Sequence, residues 1–423
     1  MSSNAVNLFV QLYSQLVEKV FMGGTPKFQL MYPYKSWNWP SAPPGQISSQ
    51  AYALLSQIPQ WPAVGTYASS GTTVSQAYLG VLLKMQLTVP PEQQQAATDA
   101  RNQITLAQNL LEQDLNNAAM AYQTYVNNLP PSVPAVDYAT WSSQTGWVGT
   151  IAADQAAVAK AQATYNSIIS QQNPQWQSAV NAVQPPDSIF TKKAGWTTMN
   201  QGDGNIVSVP NYNIEQDPTT WATLVQEKGG NSVTLALRST PQAAAVRTNG
   251  AKGSLETGAF FFSIYSNGNW QQQPQMNLDT SIQVEVTIKA IEQIACGPDP
   301  SWYNGALLKT SNTPNAFYPP FTPTGGPSPM FGQGGVLPLI ITSLVVGYQP
   351  SVKITMAGSL YNSLASQFQV AGGFRIGPFT FGGEGGSSSN AWTRSASNNS
   401  FTVQSTATYP FILGVVTSMP GLS

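Results

Sequence analysis

PPEQQQAATDARNQITLAQNLLEQDLNNAAMAYQTYVNN, Pro90 to Asn128, carries the strongest structural signal in the chain. Pro90-Pro91-Glu92 suits a helix start, with proline and an acid in the first turn. No glycine or proline follows until Pro130. Ile104, Ala107, Leu111, Leu115, Ala118, Tyr122 and Tyr125 alternate steps of three and four, a coiled-coil-like stripe. The proline-rich Leu129–Pro134 stops this helix, and a second pattern runs from about Gly149 to Ala182 with Ile151, Val158, Ala161, Tyr165 and Ile168 on one face. At 1.5 Å per residue each arm would extend roughly 50 Å. The expected arrangement is an antiparallel hairpin over about residues 91–183, with a loop from Asp137 to Trp147 at its tip. Alanines (Ala118, Ala119 and Ala121; Ala156, Ala157, Ala159, Ala161 and Ala163) would let the helices approach closely.

Outward from this hairpin, Asn7–Phe21 reads as an amphipathic helix, with Leu8, Leu12, Leu16 and Val20 at four-residue spacing and Gly23-Gly24 beyond it. Thr25–Ser49 is rich in proline and tryptophan and reads as an aromatic-pinned coil, followed by shorter helical patterns at Gln50–Ile58 and Val74–Leu87. Beyond Gln184-Pro185-Pro186-Asp187 the composition shifts to glycine, proline and β-branched residues. In SIQVEVTIKAIEQI, residues 281–294, Ile282, Val284, Val286 and Ile288 alternate with polar residues, the pattern of a half-buried strand. Further strands are expected at Ser232–Arg238, Gly258–Tyr265, Leu339–Val346, Ser351–Met356, Gln367–Phe374, Ser400–Thr408 and Phe411–Val416, with long coils at Lys309–Gly335 and Gly382–Asn390. The fold class expected is α+β: a helical domain over 1–184 bearing the hairpin, then an antiparallel β-sandwich-like domain over 185–423.

Composition bounds the chemistry. Across 423 residues there is no histidine, and charged residues make up 8%, against roughly 25% in typical soluble domains. The commonest general acid/base and metal ligand is therefore missing. Seventeen basic and 18 acidic residues leave a net charge of −1. Lys192-Lys193 is the only basic pair of note, so nucleic acid is not an expected partner. Such a neutral, amide-rich surface does not repel its own copies.

Candidate reactive groups are few. Cys296, the single cysteine, has no histidine to activate it and reads as a small core residue. Gln201-Gly202-Asp203-Gly204-Asn205, with Glu215 and Asp217 downstream, reads as a turn and not as a calcium loop. Asp279, Glu285, Glu292 and Asp299 are the carboxylates available for glycosidase-like chemistry. Neither a phosphate-cradling glycine loop nor a convincing Ser-x-x-Lys motif is present. No catalytic residue, metal site or cofactor site is expected.

The expected function is accordingly that of a non-enzymatic protein working by self-assembly or surface docking, most naturally as a homo-oligomer. The first alternative is a toxin-like protein that oligomerises on membranes through its hairpin, and the second is a carboxylate-dependent enzyme acting on glycans. Contact candidates at the hairpin tip are Val136, Tyr138, Trp141 and Trp147, with Val133 and Val148 beside them; their Trp/Tyr character suits an interface with a membrane or glycan surface. No basic n-region followed by an apolar stretch stands at residues 1–4 onward, and no run of about 18 apolar residues marks a membrane span. Val336–Tyr348, the longest apolar candidate, reads as two or three buried strands. Location is left open, with release or export by a signal-free route the expectation if the protein leaves the cell.

Overall fold

In the computed structural model the described residues are 3–21, 27–31, 47–61, 64–87, 89, 91–128, 136–169, 173–200, 206–238, 261–267, 269–273, 281–382 and 392–421. The protein mixes helix and sheet, with a long helix and a curled sheet. Helices are α1 (Ser3–Val20), α2 (Ser49–Ser56), α3 (Val74–Leu82), α4 (Gln94–Asn127), α5 (Tyr138–Gln144), α6 (Trp147–Ile169), α7 (Pro174–Val183), α8 (Pro218–Lys228), α9 (Gly305–Thr310) and α10 (Gly358–Val370). The chain divides into two compact units, one made of Met1–Met85 with Ala182–Ser423 and the other of Gln86–Asn181. This division differs from a single boundary at 184/185. The reason is α1: its apolar face is buried in the same core as the sheets, so the N-terminal residues belong with the C-terminal ones.

The large sheet has nine strands: β1 (Phe28–Leu30), β2 (Gly65–Thr66), β3 (Tyr212–Ile214), β4 (Val233–Arg238), β5 (Gln283–Pro298), β6 (Ile340–Thr355), β7 (Trp392–Ser397), β8 (Ser400–Ser405) and β9 (Phe411–Ser418). Strands β5 and β6 form its spine, antiparallel in one unbroken register from Gln283↔Thr355 to Ala295↔Ser343. Each spine strand is 16 residues long and takes two shorter partners on its outer edge. β5 takes β4 and then β3; β6 takes β8 and then β9. Register shifts at Ile341/Ser343 and Val345/Val346 let the long strand bend. The alternation seen at 282–288 is obeyed to the residue, with Val284, Val286 and Ile288 buried between exposed Gln283 and Glu285.

A four-stranded antiparallel sheet (Asn269–Gln272, Phe262–Ser266, Gly373–Ile376, Phe379–Gly382) shares the core with the large one. Phe262, Ile264, Phe374 and Phe381 from it are buried in one cluster with Val284, Val352, Phe401 and Val403 of the large sheet and with Leu12 and Leu16 of α1. Phe368 of α10 stacks on Phe401 with ring centroids 4.1 Å apart. Tyr13 reaches from α1 to donate to Phe28 O (2.6 Å) and to accept from Gly65 N (3.3 Å), tying the helix to β1 and β2. Burial pushes this phenol up to about 12.

Several expectations are corrected. Of Gln367–Phe374 only Gly373 and Phe374 are strand; Gln367–Val370 ends α10, where Leu364 and Phe368 bury one face and their i, i+4 pairing overrides the short alternation. Asp137–Trp147 is not a loop, because Asp137 caps α5 by accepting from Thr140 N at 2.9 Å. Leu339–Val346 and Ser351–Met356 merge into the single strand β6, which also replaces the two or three strands expected over Val336–Tyr348. The second arm is divided between α6 and α7. Within Lys309–Gly335, Thr322–Thr324 and Pro329–Phe331 pair in parallel. Residues 383–390 of the Gly382–Asn390 coil lie outside the described residues, as does most of Thr25–Ser49.

Candidate functional site

In the unit of residues 86–181, α4 and α6 contact each other along their length. Arg101 Nη2 donates to the Tyr165 hydroxyl at 2.9 Å and its guanidinium lies over the same ring. About three turns along α6, Asp154 is 8% exposed and lies beside Asp114. Burial, and next Asp114, hold the Asp154 carboxyl above the usual carboxylate range. Gln162 is also buried. The seam is thus a mixture of small, aromatic and polar groups; Ala118 is buried in it, whereas Ala156, Ala157, Ala159 and Ala163 of the anticipated alanine seam are exposed.

The outward face of α4 has the opposite character. Leu106 and Met120 are each 61% exposed and Leu110 is 48% exposed. At 100° per residue these three fall within an arc of about 80°. Exposed apolar residues are ordinary singly, but three large ones aligned on one helical stripe give α4 a second apolar face besides its buried Ala97, Ala100, Ile104 and Ala118.

At the far end of the pair, Trp141 is 6% exposed and lies against Tyr122 and Tyr125, with centroids 5.4 and 6.2 Å away. Tyr122 donates its hydroxyl to Val136 O at 2.9 Å, tying the connection back onto α4. Of the four expected contact residues, Trp141 is therefore spent inside the unit, Trp147 is half-buried at the start of α6, and Val136 is exposed. Val148 is exposed as well. Tyr138 opens α5, and its side chain is outside the described residues, as is Val133. The stripe read from the sequence places Leu111 and Leu115 at the seam and leaves Leu106 and Leu110 outside it; Leu115 is 42% exposed, and Leu106 and Leu110 form the outward stripe that the sequence reading does not single out. Their i, i+4 spacing was the available signal.

Reactive groups elsewhere are placed apart. Glu285 and Glu292 lie on opposite faces of β5, about 23 Å apart at 3.3 Å per residue, beyond the separations of about 5–10 Å that glycosidases use. Asp299 accepts from Ser301 N (2.8 Å) and Asn211 Nδ2 (3.1 Å), bonds that hold its carboxyl below the usual range against the opposing effect of burial. Asp217 caps α8 by accepting from Thr219 N and Thr220 N, both at 2.9 Å. Asp279 and residues 201–205 are outside the described residues. Cys296 sits where β5 meets β3, and burial pushes its thiol up to about 12. Among the described residues, no three of His, Cys, Asp and Glu converge to hold a metal ion. A void of about 20 Å³ between the small sheet, α10, β6 and β8 is lined by Phe262, Ile264, Ile354, Phe368, Phe374 and Phe401, and has room for little more than one water.

No protein-family model matches this chain, and no curated protein or solved structure does either.

Proposed function

We propose that this is a non-enzymatic interaction protein that works by assembling with copies of itself. The observation that carries this reading is the apolar stripe Leu106–Leu110–Met120, presented outward on α4. In this reading α4 and α6 are the arms of an antiparallel hairpin, and the two sheets are the layers of a sandwich-like domain. The hairpin supplies contact area; a net charge of −1 leaves the copies free to approach. Shape and contact do the work, and proton transfer has no part in it. Light scattering tests the proposal directly. The wild-type chain should show a mass above 45.2 kDa, and Leu106→Gln/Leu110→Gln/Met120→Gln should lower it. A mass unchanged by the triple substitution would remove the stripe from the account.

A second reading, oligomerisation on membranes, draws support from the loop at Ile189–Phe190. Phe190 is 88% exposed and is followed by Lys192, a pairing suited to an anionic interface. No described helix is long and apolar enough to cross a membrane, so engagement would be interfacial. Co-sedimentation with vesicles of phosphatidylserine, lost in Phe190→Ser, would favour this reading over the first.

A further inference from the structure

Of the four terminal strands of the large sheet, β2 and β3 have two and three residues, and the six-residue β4 and β7 are treated in opposite ways. The outer edge of β4 is closed by α1. Gln11 Nε2 donates to Arg238 O (2.7 Å) while its Oε1 accepts from Arg238 N (2.9 Å). Gln15 repeats this pair on Ala236 O (2.6 Å) and Ala236 N (2.9 Å), and Lys19 Nζ donates to Thr234 O (2.5 Å). The match is geometric: four helical residues rise about 6 Å, and two strand residues advance about 6.7 Å. A helix thus stands in for a strand, its side-chain amides taking the place of peptide groups. Leu8, Leu12, Tyr13 and Leu16 are buried on the other face of α1, so this cover is permanent.

Strand β7 has no such cover. Among the described residues it pairs with β8 alone, and Thr393 through Ser397 are exposed. Natural edge strands are usually blunted by lysine, proline or a bulge. β7 contains neither residue type, and its register with β8 runs without a shift from Trp392↔Ser405 to Ser397↔Ser400. Its one charge, Arg394, is committed to its own subunit, donating to Phe368 O (3.0 Å) and Ala371 O (2.7 Å) at the end of α10.

We infer that β7 is the docking edge for a second copy of this chain, paired antiparallel with the same strand about a two-fold axis. With β4 sealed and the remaining terminal strands β2 and β3 only two and three residues long, the edge that matches β7 in length is β7 itself, and pairing of identical edges is closed. The strand also tolerates its own image. With the axis through Ser395, Arg394 falls opposite Ala396 of the partner subunit, and Thr393 opposite Ser397 of the partner subunit, so no like charges meet. The inference deepens the self-assembly reading by naming an interface separate from the α4 stripe.

The test uses the full chain and two proline substitutions, Ser395→Pro and Ala396→Pro. Of two successive residues in a strand, one N–H faces β8 and the other faces the open edge, where proline is tolerated. The outward-facing substitution should leave the circular dichroism spectrum unchanged and abolish the two-fold pair in sedimentation velocity, also in the stripe-substituted background. Ser395→Lys, which sets lysine opposite its own copy in the partner subunit, should do the same if both proline variants fail to fold. Alternate amides in 393–397 of the wild type should exchange about tenfold more slowly as concentration rises from about 1 to about 100 μM. Assembly of unchanged mass in every folded β7 variant, with exchange independent of concentration, would overturn this interface and leave the α4 reading standing. A wild-type chain that is monomeric throughout would overturn both.

Discussion

The two compact units solve the burial problem differently. In the unit containing the sheets, the apolar residues of the sheet layers face inward, although Phe190 and Val370 outside the sheets are exposed: Phe401 lies against Phe368 and Tyr361, and Val284, Val286 and Ile288 of β5 share one core with Val345, Val352 and Ile354 of β6. In the helical unit the seam accepts Asp114, Asp154 and Gln162, while Leu106, Leu110 and Met120 face out. A core of the first kind is self-sufficient. A helix pair of the second kind gives up internal stability for a surface that can be satisfied by contact, and that difference is where function is to be sought.

The comparison can be broken or sharpened by substitution. The largest effect is expected at Phe401→Ala, which opens a cavity beside an existing void and should cost about 3–5 kcal/mol, read by urea unfolding. Gln15→Met keeps the size and helix propensity of its residue and removes both bonds to Ala236; it should cost about 1 kcal/mol and selectively speed exchange of the Ala236 amide.

Asp154→Asn should act in the other direction. The raised pKa of Asp154 means that the native seam holds a proton more tightly than the unfolded chain does. Its favourable contribution is present at low pH and is lost as pH rises through the elevated value. The substitution should therefore raise the melting temperature of the helical unit near neutral pH, and the gain should vanish at pH values below the ordinary carboxylate range. A gain independent of pH would show that repulsion from Asp114 is not the cause. The smallest effect on stability belongs to the stripe: Leu106→Gln/Leu110→Gln/Met120→Gln should shift unfolding by no more than about 0.5 kcal/mol per site. A large loss there would mean the stripe is core after all, and the contrast between the units would collapse.

Much of the frame is legible in the sequence, because α4 and β5 carry their periods in local residue order. What escapes is decided at long range. The polar face of α1 reads as a solvated one, since nothing near Gln11 or Gln15 in sequence reveals that their partners stand at Arg238 and Ala236. α10 is misread because a short alternation at Gln367–Val370 resembles a strand until Leu364 and Phe368 are counted together. At the tip, the tryptophan and tyrosine content suggests an anchor, but ring packing of Trp141 with Tyr122 and Tyr125 claims that aromatic surface internally.

Disulfide trapping on α4 tests the central claim most directly. Cys296, the half-buried native thiol, is replaced by alanine, and a single cysteine is placed at Leu110 or, about 200° around the helix, at Glu112. Mild oxidation should link two copies covalently through Leu110→Cys and leave Glu112→Cys as single chains. Equal linkage at both positions, or none at either, would contradict the account.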